Sequence, residues 1–472
     1  MRNEEKLTVG IKLLLPVLLA MLLNLSPQAG VIRNALAGAQ AAELQGQPAA
    51  AAEHLQQAAA FLPWRGDLLE RLGEQYLLAE QYVRAAEAFQ KAWMLDGISD
   101  AGLEQLAQAY LALEEDSGAI RAWEARVVRG GAGEGVYSAL AAAYRRQGKI
   151  AGAVESLRTW QAQHPEDANA AYALGTHLML VAPQDAEEML SLANELDPAY
   201  EAKCDGLVEG LLAVRDETDE AYRTMLLGRA MGRAEEWELA KIAFEKVVEL
   251  SPEYAEGWAM LGEARQQLGQ DGLEALEQAE ALDPDSVLVR SLWALYWRRQ
   301  GEPEVALSVY NRLATEEPGQ AVWQVEIGHS LLEMGDILSA LPYYQQAASL
   351  AGDDPYYWQM LARFSIENSM EAREVGLPAA RMALLLQPDD PATLDLMGWT
   401  MMYFHDWASA ERFLQQAIQR DADFVSAHLH LGQLYVQTGQ YALAKKHLLQ
   451  VVSLDQTGFA GVVAQRLLDG LQ

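Results

Sequence analysis

The chain has 472 residues, with 67 acidic against 35 basic side chains and a formal net charge of −32. That balance excludes general nucleic-acid binding, which needs a basic face, and suits neutral or cationic partners. A composition 51% hydrophobic and 22% charged buries a core, and with Cys204 as the only cysteine neither an internal disulfide nor a thiolate zinc site can form within the chain.

The first element in chain order is unlike the rest. Arg2, Lys6 and Lys12 precede the apolar run Leu13–Leu25. A basic flank before a short apolar stretch predicts a signal-anchor or signal peptide over residues 1–30. The positive-inside rule then places the body outside the cytoplasm, as a single-pass membrane protein or, if the segment is cleaved, a secreted one. A small-x-small cleavage motif, Ala35-Leu36-Ala37, falls inside what reads as the first repeated helix.

From Ile32 onward the chain falls into rows of 34 residues. A bulky apolar residue stands at the fourth slot, Leu then Gly or Ala at the seventh and eighth, and often Gly at the fifteenth. Ala follows at the twentieth, a large apolar residue at the twenty-fourth, and Pro near the thirty-second. Leu69, Leu72, Gly73, Ala85 and Phe89 make one such set. Trp258, Leu261, Gly262, Gly269 and Pro284 make another, and Leu431, Gly432, Gly439, Ala444 and Leu448 a later one. Gly inside a helix costs roughly 1 kcal/mol against Ala, so the eighth slot is a point of close helix packing that offsets the penalty. The fifteenth-slot Gly suits a left-handed turn ending the first helix, and Pro ends the unit.

These columns resemble the tetratricopeptide repeat, a helix–turn–helix unit of about 34 residues. Starts fall near residues 32, 66, 100, 134, 168, 221, 255, 287, 321, 355, 391 and 425. The resemblance implies an all-α fold, a right-handed α-solenoid preceded by the N-terminal hydrophobic helix. The register breaks at Asp271-Gly272, which removes two residues, and at Met370–Pro378, which adds some, with Pro378 placed to open a helix. The largest break, Ala199–Glu220, predicts an extra helix over Glu201–Arg215. The expected organisation is an N-terminal array at 31–198, a linking helix at 199–220, a C-terminal array at 221–458 and a capping helix at 459–472.

Repeats leave no stretch for a separate catalytic domain, so no catalytic residue, cofactor or metal is expected. The run GGAGEG, Gly130–Gly135, lacks the preceding strand and the closing GK[ST] of a phosphate loop. His428 and His430 lie about 200° apart around one helix, so they do not share a metal with His447. No histidine has a Ser or Cys partner from which a triad can be built.

One pattern remains. In repeats of this type, the resemblance implies, slots 2, 5, 9, 12 and 13 of each first helix line the concave groove. Those slots hold Arg145, Arg146, Arg229, Arg233, Arg298, Arg299 and Arg363, with Trp399 and Tyr403 toward the far end, whereas the first repeats offer Asp67, Glu70 and Glu74. Two readings follow. Either the arginines grip an acidic, extended peptide by fork-like hydrogen bonds, or they pair with neighbouring carboxylates such as Glu263 and Glu367. The expected function is a membrane-tethered or exported scaffold binding a protein partner, with an anionic glycan of cell-envelope assembly as the alternative ligand.

Overall fold

The computed structural model describes residues 28–456 and 458–471. Among the described residues there are 26 α-helices, one 3₁₀ turn, one π turn and no strand. The first pair is α1 (Gln28–Leu44) with α2 (Pro48–Phe61), followed by α3 (Gly66–Leu78) with α4 (Tyr82–Met94). Next come α5 (Asp100–Ala112) with α6 (Asp116–Val128), α7 (Glu134–Arg146) with α8 (Ile150–Gln163), and α9 (Ala168–Val181) with α10 (Pro183–Leu196). A single helix, α11 (Glu201–Ala213), interrupts the pairing. Pairs resume with α12 (Glu220–Arg233) and α13 (Trp237–Leu250), α14 (Ala255–Gln267) and α15 (Leu273–Leu282), and α16 (Val287–Arg299) and α17 (Pro303–Glu316). They continue through α18 (Ala321–Glu333) and α19 (Ile337–Leu350), α20 (Pro355–Glu367) and α21 (Leu377–Leu386), and α22 (Pro391–Tyr403) and α23 (Trp407–Arg420). The last pair is α24 (Val425–Gln437) with α25 (Tyr441–Leu454), closed by α26 (Phe459–Asp469).

Each pair begins where a repeat was expected, and the sequence columns meet in space. A Cβ on Gly262 would stand 2.8 Å from Cγ of Leu276, and one on Gly432 would stand 2.5 Å from Cδ2 of Leu448. The eighth slot of the first helix therefore receives the large residue of the second helix, which explains the glycine inside a helix. The turn between the two helices is left-handed at Gly148 (φ 67°), and equally at Glu235 (φ 66°) and His405 (φ 58°), which hold the same slot without glycine's freedom. In the shortened repeat a Cβ on Gly272 would run into the Gly262 carbonyl oxygen, so the two backbones nearly touch. In the lengthened repeat the extra residues form a π turn, Ala372–Gly376, entered through left-handed Ser369 and Glu371, and Pro378 lies in the first turn of α21.

By contacts the described residues fall into two compact units: those up to Pro252 together with Gln267–Gln270, and Glu253–Gln266 together with those from Asp271 onward. The division by contacts falls at Pro252. The extra helix exists, but α11 packs on both α10 and α12 and buries Cys204, Leu207 and Leu211. In the second unit, Tyr310 stacks near Trp323 (6.4 Å between ring centres) and Tyr344 near Phe364 (4.7 Å), so aromatic pairs link successive helix pairs. Arginines add ties at about one repeat's distance: Arg71 to Glu43, Arg146 to Asp116 and Arg420 to Asp389. The expected signal-anchor over residues 1–30 lies almost wholly outside the described residues, and no described helix is long and apolar enough to cross a membrane. Ala35-Leu36-Ala37 lies within α1, with Ala35 buried.

Candidate functional site

The seven arginines of the groove slots separate by what they touch. Arg145 donates from Nε to Glu238 on α13 (2.9 Å), and its Nη1 lies 3.0 Å from Nε2 of His177 on α9. His177 Nδ1 lies 2.6 Å from the Ala173 carbonyl, which only accepts, so Nδ1 carries the hydrogen and Nε2 receives the arginine. Burial, then the Arg145 charge, hold the His177 imidazole down to about 4. Nearby, the Tyr172 hydroxyl donates to Glu236 at 2.8 Å. Arg146 forms a two-pronged bond to Asp116, at 2.9 and 2.6 Å.

Arg298 and Arg299 are also engaged. Arg299 takes both carboxylate oxygens of Glu263, at 2.7 and 3.0 Å, and Glu263 is buried. Arg298 pairs with Glu326 and Glu333, each at 3.1 Å. The contact to Glu326 is close but poorly directed, since neither Arg298 Nε nor Glu326 Oε2 gains a hydrogen bond. Burial accordingly pushes the Glu326 carboxyl above its usual range, and burial with the Arg298 charge holds His329 down to about 4. All four arginines are paired with carboxylates from within the chain. The groove slots offered Glu263 as a partner, but not Asp116, Glu238 or Glu326, which stand at other slots of other helices.

Arg229 and Arg233 differ. Both are exposed on α12, one helical turn apart, and among the described residues neither forms an ion pair or side-chain hydrogen bond. Arg363 on α20 is exposed too; burial raises the nearby Glu367 carboxyl above its usual range, and the Arg363 charge offsets part of that. On α22, Trp399 stacks on His430 of α24, ring centres 5.3 Å apart and 11° from parallel, while the exposed Tyr403 meets Phe404 edge-on at 5.2 Å. His430 is fixed through Nδ1, which donates to buried Asp395 at 2.7 Å, and Asp395 also accepts from Ser426 at 2.7 Å. Sequence columns missed this Asp395–His430–Trp399 assembly because its members stand in three different slots.

The other histidines part as their helical angles required. His428 donates from Nε2 to the Ala422 carbonyl and faces His447, their Nδ1 atoms 2.9 Å apart, while His430 turns to Asp395. Among the described residues no group of three or more His, Cys, Asp or Glu is placed to hold a metal. The GGAGEG run turns carbonyls, not amides, toward a charge: Arg126 donates to the Gly130 and Gly131 oxygens at 2.8 and 2.9 Å. A phosphate cradle has the opposite polarity.

Profiles described as tetratricopeptide repeat match residues 402–465, 264–321 and 324–354. A peroxisomal targeting signal receptor of Eremothecium gossypii is 26% identical over 226 residues, covering 46% of this chain and 38% of that protein. A TPR repeat-containing protein of Pseudomonas aeruginosa is 52% identical over 60 residues, 12% of this chain and 10% of the relative. The chain thus spans well under two thirds of the curated relatives it matches. Among solved structures, the APC/C hetero-tetramer Cut9–Hcn1 aligns with a TM-score of 0.45 at 16% identity, covering 93% of this chain and 96% of that one. Yeast Tom70 aligns with a TM-score of 0.44 at 12% identity, covering 94% and 96%. The profile matches, set on helix pairs that keep the 34-residue register, show tetratricopeptide repeats over residues 264–321, 324–354 and 402–465.

Proposed function

We propose that the chain is a non-catalytic scaffold that binds a partner protein along the first helices of its repeats, taking an acidic, extended segment at α12. One observation carries the acidic preference: Arg229 and Arg233 are exposed and free of carboxylate partners in a chain of net charge −32, where Arg145, Arg146, Arg298 and Arg299 are all paired. In the second unit, Arg363 and Tyr403 are exposed at the same slots and Trp399 is half-buried. A relative named as a targeting signal receptor supports a peptide-type ligand. Arg2, Lys6, Lys12 and the run Leu13–Leu25 support tethering or export through the N-terminus, with the repeats outside the cytoplasm.

The test uses a fluorescent oligoglutamate peptide at two salt concentrations, with the full chain. Arg229→Glu with Arg233→Glu should weaken binding roughly tenfold or more, while Arg381→Glu, on a second helix, should change little. Equal binding by the double variant and the wild type ends the acidic-segment reading. Protease accessibility of intact cells tests the tether: repeats protected from external protease under an opened envelope would contradict it.

A further inference from the structure

A second surface lies away from the first-helix slots. Between α2 and α4 the first unit opens into a cleft of about 620 Å³. Its cause is in the sequence: α2 reads PAAAAEHLQQAAAF, and Ala59 and Ala60 face Ala88 of α4 across a gap that their methyl groups cannot fill. Leu69, Leu72 and Tyr76 of α3 form the floor. Met94 on its edge is 76% exposed and Leu95 beside it 45% exposed, so large apolar side chains stand in water around an apolar hollow.

The rim has a sign. Arg84 lies over the Tyr76 ring, 5.8 Å from its centre, and donates to Gln81. Lys91, two turns further along α4, is exposed and has no partner among the described residues. Glu87 stands between them at helical spacing, yet pairs with neither. Two cations without carboxylates, in a chain holding 67 acids and 35 bases, leave the rim complementary to negative charge.

We infer that this cleft docks an amphipathic helix of a partner protein, its large apolar side chains entering over Tyr76 and its acidic residues meeting Arg84 and Lys91. This surface is independent of the α12 arginines. Aromatic and Met side chains around a pocket are the composition of an interface centre.

The test uses full-chain protein and two synthetic helical peptides sharing one Leu/Phe stripe, one flanked by Glu and the other by Lys, read by fluorescence anisotropy. The Glu-flanked peptide should bind at least about tenfold more tightly. Ala60→Trp with Met94→Asp, which fills the cleft and charges its edge, should abolish that difference with the melting curve unchanged. Arg84→Glu with Lys91→Glu, wholly on the surface, should reverse the preference, whereas Arg229→Glu with Arg233→Glu should leave it intact. Equal binding of both peptides, or binding that survives the filled cleft, overturns the proposal. Three other occupants would also overturn it. Self-association lost in the filled variant would mean a second copy. Tighter peptide binding on Leu18→Glu with Leu22→Glu would mean the chain's own apolar run. Cleft-dependent binding to phosphatidylglycerol vesicles without peptide binding would mean a lipid surface.

Discussion

Arg145 reaches Glu238 across 93 residues, from α7 to α13, over the intervening α9. Most other arginine pairs join neighbouring repeats. This one, with Tyr172 on Glu236, ties the helix pair after α11 back to the pairs before it, so the inserted helix is gathered into the unit. The carboxylate of Glu238 is 56% exposed, so solvent screens the pair and Glu238→Gln should cost under about 1 kcal/mol.

His177, beneath that pair, makes the first unit sensitive to acid. Its folded pKa of about 4 lies below the ordinary 6.5, so the unfolded chain binds the proton more readily. The sign follows: the stabilisation is complete above pH 6.5 and is lost as pH falls from 6.5 toward 4. By pH 5 the loss should be roughly 2 kcal/mol. Urea midpoints at pH 7 and pH 5 should fall further in wild type than in His177→Gln. Equal shifts in the two proteins would remove His177 from the account.

Arg299 and Arg146 should behave differently although both hold the thirteenth slot of their repeats. Glu263 is buried, so Arg299→Ala leaves it without its two-pronged partner and should cost roughly 2–4 kcal/mol. Arg146 is 46% exposed, and Arg146→Ala should cost about 1 kcal/mol or less. Reversing Arg298 and Arg299 together would set new carboxylates beside Glu326 and Glu263, and should unfold part of the second unit. Thermal denaturation of the three variants checks the order.

Glycines should split by what surrounds them. Gly272→Ala drives a methyl group into the Gly262 backbone oxygen, which has no rotamer to move, and should destabilise by about 2 kcal/mol or more. Gly206, inside α11, has nothing within 4 Å of its missing Cβ, so Gly206→Ala should stabilise by about 0.5–1 kcal/mol. A stabilising Gly272→Ala would contradict the contact between these backbones.

At the turn slot the opposite exchange applies. Glu114 holds φ 58° where Gly148 serves in the next repeat. Glu114→Gly relieves the left-handed cost and should raise the melting temperature slightly, an effect of about 0.5–1 kcal/mol before glycine's extra chain entropy is subtracted.

The repeats were legible because their columns record contacts inside one helix pair. Gly432 against Leu448 is such a contact, and both residues recur at the same slots in other repeats. Of the arginine partners Glu263 was legible, because it stands in a groove slot of the preceding repeat, whereas Glu238 was not, since it lies on a second helix outside those slots. The setting of the extra helix was not legible for a related reason. The break in register at 199–220 marks an extra helix, and only side chains such as Cys204 and Leu207, apolar in either setting, decide whether that helix is a linker or a buried member of the first unit.

The arginine ties at one repeat's distance also have a mechanical meaning. Arg71 to Glu43, Arg146 to Asp116 and Arg420 to Asp389 span 28, 30 and 31 residues, so they load the junctions between helix pairs and not the pairs themselves. Added electrolyte weakens such exposed couplings while leaving the apolar interior of each pair untouched. Junctions of this kind are also held by apolar contacts such as Tyr310 on Trp323 and Tyr344 on Phe364, so under tension concentrated salt should lower the force at which a junction yields only by the small electrostatic share.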